Sequence, residues 1–213
     1  MIFENSFELL ENRNCIMIDT DTLLAWGAVY KQVNAGEVIF SEGSVCQYYN
    51  QLVSGTIKWV NIDDEGRECI QDIIEPGESF GEIPLFDDGF YSESAIAEEN
   101  VVVIRLRKAT FHQLIKENFL IHFNFSKLLA KRVRFKFLIM KTISNKIPEY
   151  RIITLLTYLK QEQKSICPNC NQVKLTRQQI ADMTGLRVET VIRVMRNMHE
   201  KGELVIERGK VYL

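Results

Sequence analysis

Nine residues of this 213-residue chain recur at intervals that alternate four and three: Phe119, Phe123, Ser126, Ala130, Val133, Phe137, Met140, Ser144 and Ile147. An α-helix turns once in 3.6 residues, so this spacing holds all nine on one narrow stripe. Two positions in seven, sustained over about four heptads, make the seam of a two-stranded coiled coil. A helix packed on its own domain also needs an apolar stripe, but a broader one. Small residues at Ser126, Ala130 and Ser144 let two helices approach closely, and Lys127, Lys131, Arg132, Arg134, Lys136 and Lys141 fall mostly off the seam. Pro148 stops the run, because proline disfavours helix in the residue before it and suits the first turn of the next. The pattern predicts one long helix over about 110–146, ending at a hinge near Ile147-Pro148. Phe123, Ala130, Val133, Phe137, Met140 and Ser144 are its expected contact with a second copy of the chain.

Upstream the period changes. Residues 29–33, 37–40, 48–53, 56–60, 68–74 and 101–106 are short β-branched and aromatic runs punctuated by glycines, the pattern of an all-β roll, barrel or sandwich. Asp63-Asp64-Glu65-Gly66 suits a hairpin turn, since glycine supplies the positive φ of tight turns. Residues 8–26 are read as a short helical lead-in.

The net charge of −2 hides an asymmetry. Residues 1–126 hold 8 Lys and Arg against 21 Asp and Glu, whereas residues 127–213 hold 18 against 7. A basic second part points to nucleic acid or another acidic partner. Seven of those cations lie in residues 127–147, which contain no acid, so the positive charge concentrates on the expected long helix. No run of 18 apolar residues occurs, and the polar, acidic start lacks the basic region and apolar core of an export signal. Together with five cysteines, an odd number, this favours a reducing cytoplasm and no membrane partner.

After Pro148 a helical pattern continues through Leu159, followed by a polar loop with Cys167-Pro-Asn-Cys170. Thr176 with Gln179 three residues on is a capping box, so a helix starts there, with Ile180, Ala181 and Met183 on its apolar face. Gly185 fits the turn that ends it. The next helix buries Val191, Val194, Met195 and Met198, and residues 203–213 read as strand, turn at Arg208-Gly209, and strand. This is a winged helix-turn-helix. Glu189 and Arg193, four apart, project from one face near the start of the second helix. An arginine grips guanine O6 and N7 with two hydrogen bonds, and a carboxylate accepts from cytosine N4. The same pair is otherwise an ordinary helix salt bridge. Thr176, Arg177 and Gln178 open the first helix, where free N–H groups hold a phosphate.

The run from Thr176 to Met198 (T-R-Q-Q-I-A, G-L, V-E-T-V, R and M at matching spacing) resembles the DNA-binding domain of the CRP/FNR family of bacterial transcription regulators. Glu37-Val-Ile-Phe-Ser-Glu-Gly43 and Pro76-Gly-Glu-Ser-Phe-Gly-Glu-Ile-Pro-Leu-Phe86 resemble that family's β-roll signatures, and the resemblance covers nearly the whole chain. It implies an α+β fold: a cyclic-nucleotide-binding-like β-roll over 1–108, a dimerisation helix over 109–147 and a winged helix-turn-helix over 148–213. It also implies a homodimer on palindromic double-stranded DNA with TGA-like half-sites, read by Glu189 and Arg193, and RNA polymerase as a partner. Val188 and Thr190 belong to the same reading surface. Val188 resembles the FNR branch, Ile192 departs from that branch's serine, and Arg187 stands where a capping Ser or Thr is usual.

Family members that bind cAMP use a Gly-Glu pair for the ribose, an Arg-Ser pair for the phosphate and a Thr-Ser pair on the long helix for the base. Gly81-Glu82 matches the first. Glu93 replaces the arginine beside Ser94, and Lys136 and Phe137 replace the helix pair. A carboxylate repels the cyclic phosphate and removes the bidentate clamp, so no cAMP binding of the usual kind is expected. The iron–sulfur centre of FNR needs clustered N-terminal cysteines, and this chain has only Cys15 there, so no cluster is expected. Haem would need an axial ligand, and His112, His122 and His199 offer no pattern for one. Cys167 and Cys170 have the spacing of a zinc knuckle without a second pair; an inert loop, thiol chemistry and a shared metal remain open. No nucleophile–base pair, phosphate loop or metal set appears, so an enzyme is not expected. The alternative to a DNA-binding regulator is a small-molecule-binding module whose helix-turn-helix is a protein contact.

Overall fold

A computed structural model describes residues 17–145 and 147–213. Most of the expected lead-in over 8–26 lies outside the described residues; the part that is described holds a short helix, α1 (Thr20–Ala25), capped by the Asp19 carboxylate, which accepts from Thr22 N at 3.0 Å. The chain divides into two compact bodies, one of residues up to Asn61 and Gln71–Leu128, the other of Ile62–Ile70 and Leu129–Leu213.

In the first body the strand-like runs become β1 (Val29–Val33), β2 (Val38–Phe40), β3 (Tyr48–Ser54), β4 (Ile57–Ile62) and β5 (Glu68–Ile74). Two residues, Ser79–Phe80, form β6; α2 (Ile83–Asp87), β7 (Ser94–Ala97), β8 (Val101–Arg107) and α3 (Lys108–Glu117) follow. The strands build two sheets in the orders β1-β8-β3-β6 and β2-β7-β4-β5. The turn between β4 and β5 closes as expected, with Gly66 at φ 78° and the Asp63 carboxylate accepting from Glu65 N and Arg67 N at 3.0 and 2.9 Å. One core gathers Leu52, Ile57, Trp59, Ile74, Phe80 and Val103 from both sheets. A second joins Tyr49, Ile104 and Leu106 to Phe111 and Leu114 of α3. There Tyr49 stacks on Phe111 at 4.9 Å, and Phe125 meets Phe111 edge-on at 5.3 Å, contacts each worth about 0.5–1.5 kcal/mol beyond simple burial.

The single long helix expected over about 110–146 is instead two. α3 stops at Glu117, and α4 runs from Phe119 to Ile143. Asn118 makes the break. Its backbone leaves the helical region at φ −123°, ψ 86°, while its backbone N–H and its side-chain amide both donate to Leu114 O, at 3.0 and 2.9 Å, and close the end of α3. The far end is also shorter than expected. Ser144 sits in a turn and Ile147 is extended before Pro148, with the Asn145 side chain accepting from Ile147 N at 2.9 Å. The last two seam positions therefore lie beyond α4.

α4 has 25 residues, a length of about 37 Å. Its inward side chains are Phe125, Phe135 and, near the end, Thr142. The seam faces the other way: Phe119, Phe123, Val133, Phe137, Met140 and Ile147 are 46–74% exposed, and Ser126, Ala130 and Ser144 are exposed too.

In the second body α5 (Pro148–Gln161) starts on the proline, as expected, and Phe135 stacks on its Tyr158 at 4.3 Å. Next come β9 (Gln172–Val173), α6 (Arg177–Thr184), α7 (Val188–Glu200), β10 (Val205–Glu207) and β11 (Lys210–Tyr212). The wing is a three-stranded sheet in the order β10-β11-β9, one strand wider than the sequence predicts. Among the described residues, no helix is long and apolar enough to cross a membrane.

Candidate nucleic-acid interface and sensor site

The start of α6 forms as the Thr-x-x-Gln spacing dictates. Thr176 Oγ1 accepts from Gln179 N at 3.1 Å, and Gln179 Oε1 accepts from Thr176 N at 2.8 Å. The first-turn amides at Arg177 and Gln178 lie ahead of the intrahelical ladder, the geometry that holds an anion. Their side chains are partly engaged: Gln178 Nε2 donates to Asp182 Oδ1 at 2.8 Å, and the half-buried Arg177 guanidinium donates to Gly209 O in the wing turn at 3.4 Å. α6 ends on Gly185 in the left-handed conformation, φ 64°, where a side chain would be strained.

α7 follows at once. Arg187 precedes it with extended backbone and no side-chain cap, as its identity predicts. Val191, Met195 and Met198 bury the inner face, while Val194 is only half-buried. On the outer face Arg187, Glu189, Ile192, Arg193 and Arg196 are exposed, and Val188 and Thr190 are half-buried. Among the described residues, neither Glu189 nor Arg193 has a side-chain hydrogen bond or ion pair.

In the roll, Gly81 and Glu82 are buried just before α2. The Phe40 ring stacks on Tyr91 at 3.8 Å and on Phe80 at 5.9 Å. A Cβ on Gly81 would lie 2.5 Å from the Phe40 ring and 2.8 Å from the Tyr91 ring. Burial pushes the Tyr91 phenol well up from its ordinary value, so the ring stays neutral. The space over Gly81 is thus filled by the protein's own aromatic side chains.

At the start of β7, Ser94 Oγ accepts from Glu42 N at 2.9 Å. Glu93 Oε2 accepts from Ser92 Oγ at 2.6 Å, and Asn61 Nδ2 donates to Glu42 Oε2 and to Ser92 O at 2.9 and 2.7 Å. The carboxylates of Glu42 and Glu93 are thus tied to one corner of the roll beside Ser94. Gly81, Glu82, Glu93 and Ser94 belong to the first body, whereas Lys136 and Phe137 belong to the second, with Phe137 on the exposed stripe of α4.

Cys167 and Cys170 sit on a tight hairpin tip: Cys167 N donates to Gln172 O at 2.8 Å and Asn171 N to Cys167 O at 2.9 Å. The Cys170 side chain hydrogen-bonds to Cys167 and lowers its pKa, helped by the amides of Asn169 and Cys170. Among the described residues no group of three or more His, Cys, Asp and Glu is placed to hold a metal.

Comparison with known proteins agrees with both halves of this geometry. Residues 30–118 match the cyclic nucleotide-binding domain, and residues 150–213 match the Crp-like helix-turn-helix domain. The chain is 30% identical to the cAMP-activated global transcriptional regulator CRP of Pasteurella multocida over 169 residues, covering 76% of this chain and 78% of that protein. The chain belongs to the CRP/FNR family of transcription regulators. The regulator is also 29% identical over 176 residues to the cyclic AMP receptor protein of Thermus thermophilus, 83% of this chain and 79% of that protein. Its fold is similar to that of the c-di-GMP responsive global regulator CLP of Xanthomonas campestris, with a TM-score of 0.73 at 19% identity, covering 91% of this chain and 97% of that one. These relatives are transcription regulators rather than enzymes.

Three parts of the regulator's site were not foreseen. The Phe40–Tyr91 stack reads in sequence as ordinary strand residues, since nothing local says that two rings 51 positions apart meet over Gly81. Strand β9 was read as loop because two residues carry no period. Arg151 reads in sequence as one more helix cation, since nothing local marks the carbonyls it meets.

Proposed function

We propose that this regulator binds palindromic DNA with TGA-like half-sites as a homodimer, under control of a signal other than cAMP. The observation that carries the reading is the outer face of α7, where Glu189 and Arg193 stand exposed one helical turn apart, with no partner among the described residues. A structural salt bridge would have spent both. Thr176, Arg177 and Gln178 at the start of α6, and Arg187, Val188 and Thr190 around the start of α7, supply phosphate and groove contacts beside them. TGA-like half-sites and RNA polymerase as the downstream partner come from the family resemblance.

The exposed stripe of α4 supports the dimer. A single chain leaving Phe123, Val133, Phe137 and Met140 in water has an apolar face that a second copy of the same helix covers. Two α7 helices about 34 Å apart then meet successive major grooves. The aromatic filling over Gly81 and the carboxylates Glu42 and Glu93 support a signal other than cAMP. The signal acts by binding or modifying one of two conformations more strongly than the other.

Selection of binding sites from random double-stranded DNA with the purified protein tests this. Enrichment of paired inverted TGA-like half-sites, with retention falling steeply as salt rises, is expected. An unstructured pool at low salt overturns it and favours a helix-turn-helix used as a protein contact.

A further inference from the structure

The last turn of every α-helix leaves carbonyl oxygens without intrahelical partners, and these carry the negative end of the helix dipole. α4 ends at Ile143 and α6 at Thr184, and both ends are served by one side chain. Arg151, in the first turn of α5, donates from Nη2 to Ile143 O at 3.0 Å, from Nε to Asn145 O at 3.1 Å and from Nη1 to Thr184 O at 3.4 Å. Three nitrogens of one planar group therefore hold the end of the long helix, the segment after it and the end of the first helix of the helix-turn-helix. The guanidinium is suited to this: its donors fan out in a rigid plane and its charge is permanent. Neighbouring features limit slack at the same joint. Asn145 closes a side-chain turn onto Ile147 N, and Pro148 fixes the backbone that follows. Lys201, just past α7, pairs with Glu149 at 2.8 Å, an exposed contact of the kind that contributes little.

We infer that Arg151 is a positioning residue that sets the angle between α4 and the helix-turn-helix, and thereby the half-site separation the regulator accepts. The inference rests on the proposed reading as a dimer on paired half-sites. In that arrangement the two α7 helices are related only through the two α4 helices. Any play between α4 and α6 changes the distance between the reading faces without altering either face.

The test uses the full chain, a DNA library of two inverted half-sites with spacers of varied length, and a single half-site duplex. Wild type is expected to concentrate on one spacer. Arg151→Gln is expected to spread over neighbouring spacers and to lose about tenfold in affinity at the preferred one, while its affinity for the single half-site stays within about twofold. Arg151→Lys keeps the charge and the stem but reaches fewer carbonyls; it guards against a variant that does not fold, and an intermediate spread is expected. Lys201→Gln, which breaks only the exposed pair, is expected to keep the wild-type spacer. Spacer preference in Arg151→Gln and Arg151→Lys as sharp as in wild type overturns the inference alone. So does loss of single half-site binding in step with the paired site, which marks a residue that merely supports the fold. Wild type that ignores paired half-sites overturns the reading beneath it.

Discussion

On α7, Glu189 and Arg193 are exposed and have no partner among the described residues, and the first amides of α6 lie ahead of its intrahelical ladder. Around Gly81 the opposite has happened. The backbone at Gly81 is left-handed, φ 67°, and Phe40 and Tyr91 stack across it. One end of the regulator keeps its polar groups available for an external partner, and the other has turned inward and packed. A motif can thus persist for two physical reasons: because its side chains still meet a ligand, or because its backbone still closes a turn. Exposure of the polar groups separates the two.

The largest effect that probes this contrast is on α7. Arg193→Ala is expected to weaken binding to the selected site by about 1–3 kcal/mol while binding to random DNA barely changes. Equal losses on both, measured by titration at one salt concentration, would remove the base-reading role. In the roll, Gly81→Ala places a methyl group against two rings at a positive φ, and overpacking of this kind costs roughly 1–3 kcal/mol. A thermal midpoint equal to wild type would mean that the aromatic filling is loose enough to admit a ligand, and the contrast between the two ends would soften. Thr176→Ala removes one half of the capping box, an expected loss of about 0.5–2 kcal/mol read by denaturant unfolding.

Smaller still is a difference in thiol chemistry. The Cys170 hydrogen bond lowers the Cys167 pKa, whereas burial raises that of Cys69 on β5. Alkylation followed by peptide mass analysis is therefore expected to label Cys167 at a lower pH than Cys69, because the thiolate is the reactive form. The reverse order would show that the hairpin tip does not hold its thiols together. Smallest of all is the expected response to cAMP, which is none. A ligand present at 100 times its dissociation constant stabilises a protein by about 2.7 kcal/mol, so a rise in the melting midpoint with cAMP would reopen the roll as a nucleotide site.

Elements with a strong internal period were legible from sequence. The heptad run of α4, the Thr176–Gln179 box, the Gly185 turn and the β-branched strands all carry their cause within a few neighbouring residues. What escaped depends on distant partners. β7 is Ser-Ala-Ile-Ala, with Ile96 its single residue of strong strand preference, and becomes a strand because β2 and β4 flank it. The break at Asn118 turns on one residue whose backbone leaves the helical region, inside a stretch whose apolar pattern favours helix on both sides. The filled roll and the Arg151 fan escaped for the same reason, since rings and carbonyls far apart in sequence meet only after folding.

The exposed stripe of α4 has a consequence for dosage. When two chains must pair before either reading helix finds its groove, occupancy of a DNA site at low abundance rises with the square of the chain's concentration. Halving the protein then cuts occupancy about fourfold. In the proposed dimer, the seam of Phe123, Val133, Phe137 and Met140 would thus make the amount of regulator in the cell an input in its own right.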